Sequence, residues 1–172
     1  MSSERDDAPN TRARRSAAGR KQRPALSSLL ISIPSQTSFL GLVRDVTRKM
    51  AEVAGFDEST GERISLAVDE ATTNAIEHAY RGAPDRKVEV RIEDRGPDFS
   101  VEVVDSGAMV DPRTVPRVDL DRYVNEGRTG GLGVHLMEKI MDSVTFRRSA
   151  RKNVCRMVKR KEPKAGAREG GA

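Results

Sequence analysis

The sequence predicts an α+β fold, a two-layer α/β sandwich in which helices cover one face of a mixed, mostly antiparallel sheet. Strand-like and helix-like segments follow one another in the order strand, helix, helix, strand, strand, helix, strand, strand. Neighbouring strands joined by short turns pair antiparallel, so the two hairpins in this order indicate an antiparallel sheet. Each helix carries a single apolar stripe, which indicates one buried side and one solvated side.

One strand and two helices are predicted in the first half. Residues 29–33 are an apolar, β-branched run typical of a strand. Apolar residues recur at helical spacing across residues 35–54, and Gly55 is expected to end that helix. The segment Ser59–Glu62 fits a capping box, in which the serine and glutamate side chains satisfy free backbone N–H groups. The helix that follows is predicted to run to about Tyr80.

A hairpin, a helix and a second hairpin are predicted in the second half. Residues 88–92 alternate apolar with charged side chains, and residues 99–103 alternate again after a Gly-Pro turn, which is strand periodicity. Helical spacing returns after the glycine cluster, and two more apolar runs follow it. These last three elements are predicted at 132–141, 144–146 and 154–158.

The charge is unevenly divided along the 172 residues. Residues 1–28 hold seven Lys or Arg against three Asp or Glu, and are predicted to be a disordered basic tail. Residues 161–172 are predicted to be a second disordered tail. The domain at 29–160 holds 21 basic and 21 acidic residues, so the high pI comes from the tails. Residues 107–130 hold two prolines and no clear period, which predicts a functional lid, with a disordered linker as the alternative.

The composition excludes several classes of protein. Cys155 is the single cysteine, which rules out an intrachain disulfide and fits a reducing cytoplasm. Aromatic residues make up 3% of the chain and Trp is absent, so a stacking platform for nucleic acid is not expected. There is no apolar run of membrane-spanning length and no signal-peptide pattern at the start. We therefore expect a cytoplasmic protein that binds neither nucleic acid nor membrane.

A carboxylate and a carboxamide are predicted one helical turn apart, at Glu70 and Asn74. Both border the apolar stripe, beside small alanines that leave room for a ligand. The asparagine oxygen can bind Mg²⁺, which takes few protein ligands. The carboxylate can accept a hydroxyl proton during attack on a γ-phosphate. On its own, the pair is more typical of a solvated helix face than of a site.

Two further motifs complete the pattern. Asp105 ends a predicted strand just before Gly107, where a carboxylate can accept a hydrogen bond from the exocyclic amine of adenine; a turn aspartate is the alternative. The glycines from Gly130 to Gly133 open a helix, whose free N–H groups suit phosphates. Arg128 just before them can reach a γ-phosphate, although a solvated arginine before a glycine hinge fits as well.

These motifs resemble the nucleotide-binding boxes of the gyrase–Hsp90–histidine kinase–MutL ATPase superfamily and, within it, the bacterial anti-sigma factor serine kinases. The segment Glu70–Tyr80 resembles the asparagine box, and Asp105–Gly107 the first glycine box. The segment Gly131–Met137, with Met141-Asp142, resembles the second glycine box. The order and spacing of the boxes make a chance match improbable.

The resemblance implies a Bergerat-type ATP-binding kinase domain with ATP and Mg²⁺ as ligands. It implies that Glu70 is the general base and that Asn74 holds Mg²⁺ against the phosphates. The remaining implied contacts are to adenine from Asp105 and Gly107, and to phosphates from Arg128, Gly131 and Gly133. The implied partners are an anti-anti-sigma antagonist, which supplies the phosphoacceptor serine, and a sigma factor that is sequestered. Homodimerisation is an option.

Two other functions remain open at this stage. A switch kinase of the same fold could regulate a phosphatase or cyclase in place of a sigma factor. A catalytically silent module could bind ATP and a partner without transferring phosphate. A sensor histidine kinase is disfavoured, because neither His78 nor His135 lies in a phosphoacceptor pattern.

Overall fold

A computed structural model describes residues 27–108 and 132–162. Its sheet contains five strands in the spatial order β1-β2-β3-β5-β4, and every neighbouring pair is antiparallel. The predicted α+β fold is therefore confirmed, with a sheet that is antiparallel throughout the described residues. The strands are β1 (Ser27–Pro34), β2 (Lys87–Asp94), β3 (Asp98–Asp105), β4 (Ser143–Ser149) and β5 (Lys152–Arg160).

Three helices pack against one face of this sheet. They are α1 (Leu40–Ala54), preceded by a 3-10 turn at Thr37–Phe39, α2 (Glu58–Asn74) and α3 (Leu132–Ile140). The core lies between the layers, because the inward side chains of β2 and β3 join the apolar stripes of the helices in a single cluster. Gly55 ends α1 with a φ of 97°, a left-handed conformation that glycine adopts without strain.

The start of α2 differs from the predicted capping box. Asp57 is the N-cap, and its carboxylate accepts a hydrogen bond from the Thr60 backbone N–H at 2.8 Å. The same carboxylate accepts a second bond from the Thr60 hydroxyl at 2.9 Å. The helix therefore begins at Glu58, two residues earlier than a cap at Ser59 would place its start. An aspartate is as good a cap as a serine, and its charge also favours the positive end of the helix dipole.

The end of this helix has the predicted extent but a different geometry. After Asn74, residues Ala75–Ala79 form a π-helical turn, so that the Tyr80 N–H donates to the Ala75 carbonyl at 3.0 Å. Single π-turns of this kind occur mostly at functional sites. Gly82, with a φ of 73°, then leads the chain away from the helix.

Strand β3 lies in the middle of the sheet and is more buried than its alternating pattern predicts. Ser100 and Val104, which face away from the helices, are as buried as the residues that face them. Charged side chains share this face of the sheet, where Arg156 of β5 pairs with Glu102 of β3 at 3.3 Å. The face without helices is thus a layer of ion pairs, each of which contributes little to stability.

Several predictions fall at or beyond the edges of the described residues. Strand β1 begins at Ser27, so Ser27 and Ser28 belong to the sheet although they were assigned to the tail. Most of the predicted lid lies outside the described residues, as do the rest of the basic tail and residues 163–172. In the part of the chain that the structure describes, no helix is long and apolar enough to cross a membrane.

Candidate nucleotide-binding site

Glu70 and Asn74 lie on α2 at the edge of the core, close to the end of the helix. Ala71 and Ala75 are buried in the core, and they leave Glu70 and Asn74 half-buried at its border. Asn74 is the last residue of α2, and the π-turn begins directly after it. The position that the sequence predicted for this pair, beside small residues at the edge of the core, is therefore the position observed.

Burial and neighbouring charges act together on Glu70. Partial burial raises the pKa of the Glu70 carboxyl, and the nearby carboxylates of Asp69 and Glu77 raise it further. Asp69 is itself held by Arg44 of α1, at 2.8 Å. A carboxylate with a raised pKa is a stronger base that still ionises, which is the property a general base needs.

The start of α3 lies against Glu70. A Cβ atom placed on Gly133 would overlap the Glu70 Oε2 atom, so any larger residue there would displace the carboxylate. The fold therefore brings together two residues that are 63 positions apart in the sequence. Arg128 and Gly131, the other predicted phosphate contacts, lie outside the described residues.

A second carboxylate lies at the end of β3. Asp105 is 9% exposed and accepts hydrogen bonds from the Gly107 N–H at 2.8 Å and from Asn153 Nδ2 at 2.7 Å. Burial raises the pKa of Asp105, and these two bonds oppose that rise. The carboxylate is thus fixed in orientation while one of its oxygens accepts neither bond.

The predicted site did not include Asn153. Strand β5 pairs with β3 so that Asn153 lies directly opposite Asp105, and Asn153 Nδ2 also donates to the Gly107 carbonyl at 3.2 Å. Its Oδ1 atom is buried and has no hydrogen-bond partner among the described residues. The sequence offered one signal, a polar residue directly before the apolar run at 154–158, but the strand register was needed to place it beside Asp105.

The loop after β3 packs on the end of the helix. A Cβ atom on Gly107 would overlap the carbonyl of Ala79, and the Ala108 N–H donates to that same carbonyl at 2.9 Å. The π-turn thereby joins the Asn74 end of α2 to the Asp105 loop. The sequence predicted a close backbone approach at Gly107. On this side of the loop, the group that approaches Gly107 is the Ala79 carbonyl.

His78, His135 and Cys155 are not part of the predicted site. His78 is exposed and His135 is half-buried. Burial raises the pKa of Cys155 to about 12, which makes its thiol unreactive at neutral pH.

Within residues 27–108 and 132–162, no three or more His, Cys, Asp or Glu side chains are grouped as a metal site. Magnesium bound to nucleotide phosphates needs only one or two protein oxygens, so Asn74 remains suitable.

A cleft of about 690 Å³ lies on the other side of the Gly107 loop. Glu89, Val104 and Lys152, which face away from the helices, contribute to its lining. Ser106 and Gly107 also line the cleft, whereas Glu70, Asn74 and Asp105 do not. The predicted site residues have chemistry that suits a purine nucleotide, because Asp105 is a buried acceptor of fixed orientation and Glu70 lies against the start of α3.

The chain matches the family model described as a histidine kinase-like ATPase domain over residues 33–159. This match covers well over half of the sequence, so the chain belongs to the histidine kinase-like ATPase domain family. The family is the one that the three motifs indicated.

Curated relatives narrow the resemblance. Serine-protein kinase RsbW of Bacillus subtilis (strain 168) is 34% identical over 122 residues, which cover 66% of this chain and 74% of that protein. Serine-protein kinase RsbW of Listeria monocytogenes serovar 1/2a is 30% identical over 120 residues, covering 67% and 76%. The resemblance to anti-sigma factor serine kinases is thereby confirmed.

Solved structures support the fold. The RsbU and RsbW domains of Rv1364c from Mycobacterium tuberculosis superpose with a TM-score of 0.55 at 19% identity, covering 78% of this chain and 32% of that chain. The SiaB-SiaC complex from Pseudomonas aeruginosa gives a TM-score of 0.52 at 14% identity, covering 80% and 91%. At such low identity, these similarities concern the arrangement of helices and strands alone.

Proposed function

We propose that this protein is an ATP-dependent protein serine kinase that phosphorylates an anti-anti-sigma antagonist and sequesters a sigma factor in the cytoplasm. The observation that carries the proposal is the packing of Gly133 against the Glu70 carboxylate, one turn before Asn74. The contact supports the proposal because the Glu70 carboxyl, whose pKa is raised by burial, lies beside the start of α3, where phosphate is favoured. The relatedness to serine-protein kinases supports the same reaction.

Each predicted site residue has a proposed role in this reaction. Glu70 accepts the proton of the attacking serine hydroxyl, and the serine oxygen displaces ADP from the γ-phosphorus. Asn74 offers its amide oxygen to Mg²⁺, which neutralises phosphate charge when it is bound. Asp105 accepts from the adenine amine, with Gly107 beneath the base. Gly133, together with Arg128 and Gly131, is proposed to contact the phosphates.

Phosphotransfer from labelled ATP to a purified antagonist protein tests this proposal. Glu70→Gln is expected to lower the transfer rate by about 10²–10⁴-fold while ATP still binds, because the base is lost and the shape is kept. Asn74→Ala is expected to abolish the Mg²⁺-dependent part of ATP binding. Glu62→Gln, an exposed glutamate of the same helix, is the matched control and should transfer normally.

Transfer that survives both Glu70→Gln and Asn74→Ala would overturn the assigned site. ATP binding by the wild type without transfer to any antagonist would leave a binding module in place of a kinase.

The sigma factor is tested separately, by co-purification of the full chain with its native partners. Recovery of a sigma factor, and its release on adding unphosphorylated antagonist, is the expected result. Recovery of a phosphatase or cyclase without any sigma factor would replace the anti-sigma role with a switch kinase acting on that enzyme. Homodimerisation stays a prediction of the family resemblance.

A further inference from the structure

The side chain of Tyr80 joins three segments around the proposed adenine end of the site. Its hydroxyl donates a hydrogen bond to the Lys87 carbonyl at 2.7 Å, at the start of β2. It accepts one from the Ser106 N–H, also at 2.7 Å. The ring packs against the core while the hydroxyl reaches the loop. Both bonds are short, and both are made to backbone groups.

The bond to Ser106 falls between the two residues proposed to read adenine. Ser106 lies between Asp105 and Gly107 in the chain. A hydrogen bond to its N–H therefore holds the loop that carries both residues. The backbone of the π-turn holds the same loop from one side, through the Ala108 N–H and the Ala79 carbonyl. Tyr80 adds a side-chain contact at the point where the helix ends.

The placement of Tyr80 depends on the π-turn. Its N–H bonds to the carbonyl of Ala75, five residues back, and not to that of Ile76. The extra residue in the turn rotates the residues that follow it relative to a continuous α-helix. The π-turn begins directly after Asn74. The Tyr80 hydroxyl at its end accepts a hydrogen bond from the Ser106 N–H, beside Asp105.

We propose that Tyr80 is a positioning residue whose hydroxyl fixes the Asp105–Gly107 loop to the end of α2, so that adenine recognition stays aligned with Asn74. This inference rests on the proposed function. It assigns Tyr80 no contact with the nucleotide and no part in the chemical step. Loss of the hydroxyl leaves the Ser106 N–H without this partner and frees the loop, while Glu70 and Gly133 are unaffected.

The test compares ATP with purine riboside triphosphate, which lacks the 6-amino group that Asp105 is proposed to read. In Tyr80→Phe, we expect ATP binding to weaken about fivefold, the equivalent of one net hydrogen bond. The ratio of ATP affinity to analogue affinity should fall by a similar factor. The transfer rate at saturating ATP should be unchanged, so the effect appears in KM and not in kcat.

Ser35→Ala is the matched control. The Ser35 hydroxyl donates to the Ala83 carbonyl and accepts from the Arg86 N–H at 3.0 Å, so it anchors the turn between α2 and β2 at a different point. It makes no contact with the Ser106 loop among its described hydrogen bonds. We expect Ser35→Ala to lower the melting temperature while leaving the ATP-to-analogue ratio at the wild-type value.

The outcomes separate the two proposals. A folded Tyr80→Phe protein that keeps the wild-type ratio would overturn the positioning role. A wild-type protein with no preference for ATP over the analogue would overturn the proposed adenine site. Hydrogen exchange gives a second measurement that does not depend on the variant folding. Slow exchange of the Ser106 amide in the wild-type chain is expected, and exchange at the rate of a free loop would overturn the inference.

Discussion

Burial raises the pKa of both carboxyl groups of the proposed site, Asp105 and Glu70. The surrounding residues hold these two groups in different ways. Asp105 accepts two hydrogen bonds, from a backbone N–H and from Asn153. Within residues 27–108 and 132–162, the Glu70 carboxylate has no hydrogen bond or ion pair, and glycine is its neighbour in α3. Among the described residues, the proposed adenine acceptor is thus held by two hydrogen bonds and the proposed general base by none.

This difference fits the roles proposed for the two groups. A base-reading acceptor gains specificity when its geometry is set before the ligand arrives. A general base has to accept a proton from a hydroxyl that arrives on another protein, and a fixed network would compete for its lone pairs. The comparison also predicts that equivalent changes will lower stability near Asp105 but not near Glu70.

The largest effect is expected from replacing Gly107 or Gly133 with alanine, which adds one methyl group. In Gly107→Ala the Cβ meets the Ala79 backbone, which cannot move without unwinding the π-turn, so unfolding free energy should fall by about 3 kcal/mol and ATP binding should be lost. In Gly133→Ala the Cβ meets the end of the flexible Glu70 side chain. Stability should change little, while displacement of the base lowers phosphotransfer about 100-fold.

Gly41→Ala is the control for this pair, since a Cβ there meets no atom within 4 Å. Urea unfolding, ATP titration and phosphotransfer should be measured on all three variants. Equal losses of stability in Gly107→Ala and Gly133→Ala would contradict the distinction between a fixed and a movable region.

A smaller effect is expected from removing the second bond to Asp105. Asn153→Ala leaves that buried carboxylate with one partner fewer, and ATP affinity should fall about tenfold because the acceptor is no longer oriented. Phosphotransfer at saturating ATP should be near the wild-type rate. Lys152→Ala, the adjacent residue on the opposite face of β5, is the control. An unchanged ATP affinity in Asn153→Ala would show that the Gly107 N–H alone orients Asp105.

The smallest effect is expected in the pH dependence of stability. Because the pKa of Asp105 is raised on folding, the folded state binds this proton more tightly than the unfolded chain. Its contribution to the free energy of unfolding is present below the ordinary pKa of aspartate, and is lost as pH rises through the raised value. Relative to Asp105→Asn, the wild type should therefore lose stability as pH rises across that window. A difference in urea-unfolding free energy that is constant with pH would contradict the burial effect.

Much of the fold was predictable because its signals are local. The alternation at 88–92 and the helical spacing at 132–141 each depend on a few neighbouring residues, and both elements appear near the predicted bounds. The capping box was wrong because two good caps lie two residues apart, at Asp57 and Ser59, and local sequence does not decide between them. The π-turn at Ala75–Ala79 has no distinct signal, because the spacing of its residues also fits an α-helix.

The sequence by itself determined the order of elements and the chemical types in the site: Glu70 and Asn74 one turn apart, Asp105 at a strand end, and glycine before a helix. Periodicity and motif spacing carry that information along the chain. Only the tertiary structure decided that Asn153 lies opposite Asp105, that Gly133 packs on Glu70 and that Tyr80 bonds to Ser106. These contacts depend on strand register and helix packing, which are set by the burial of the whole core.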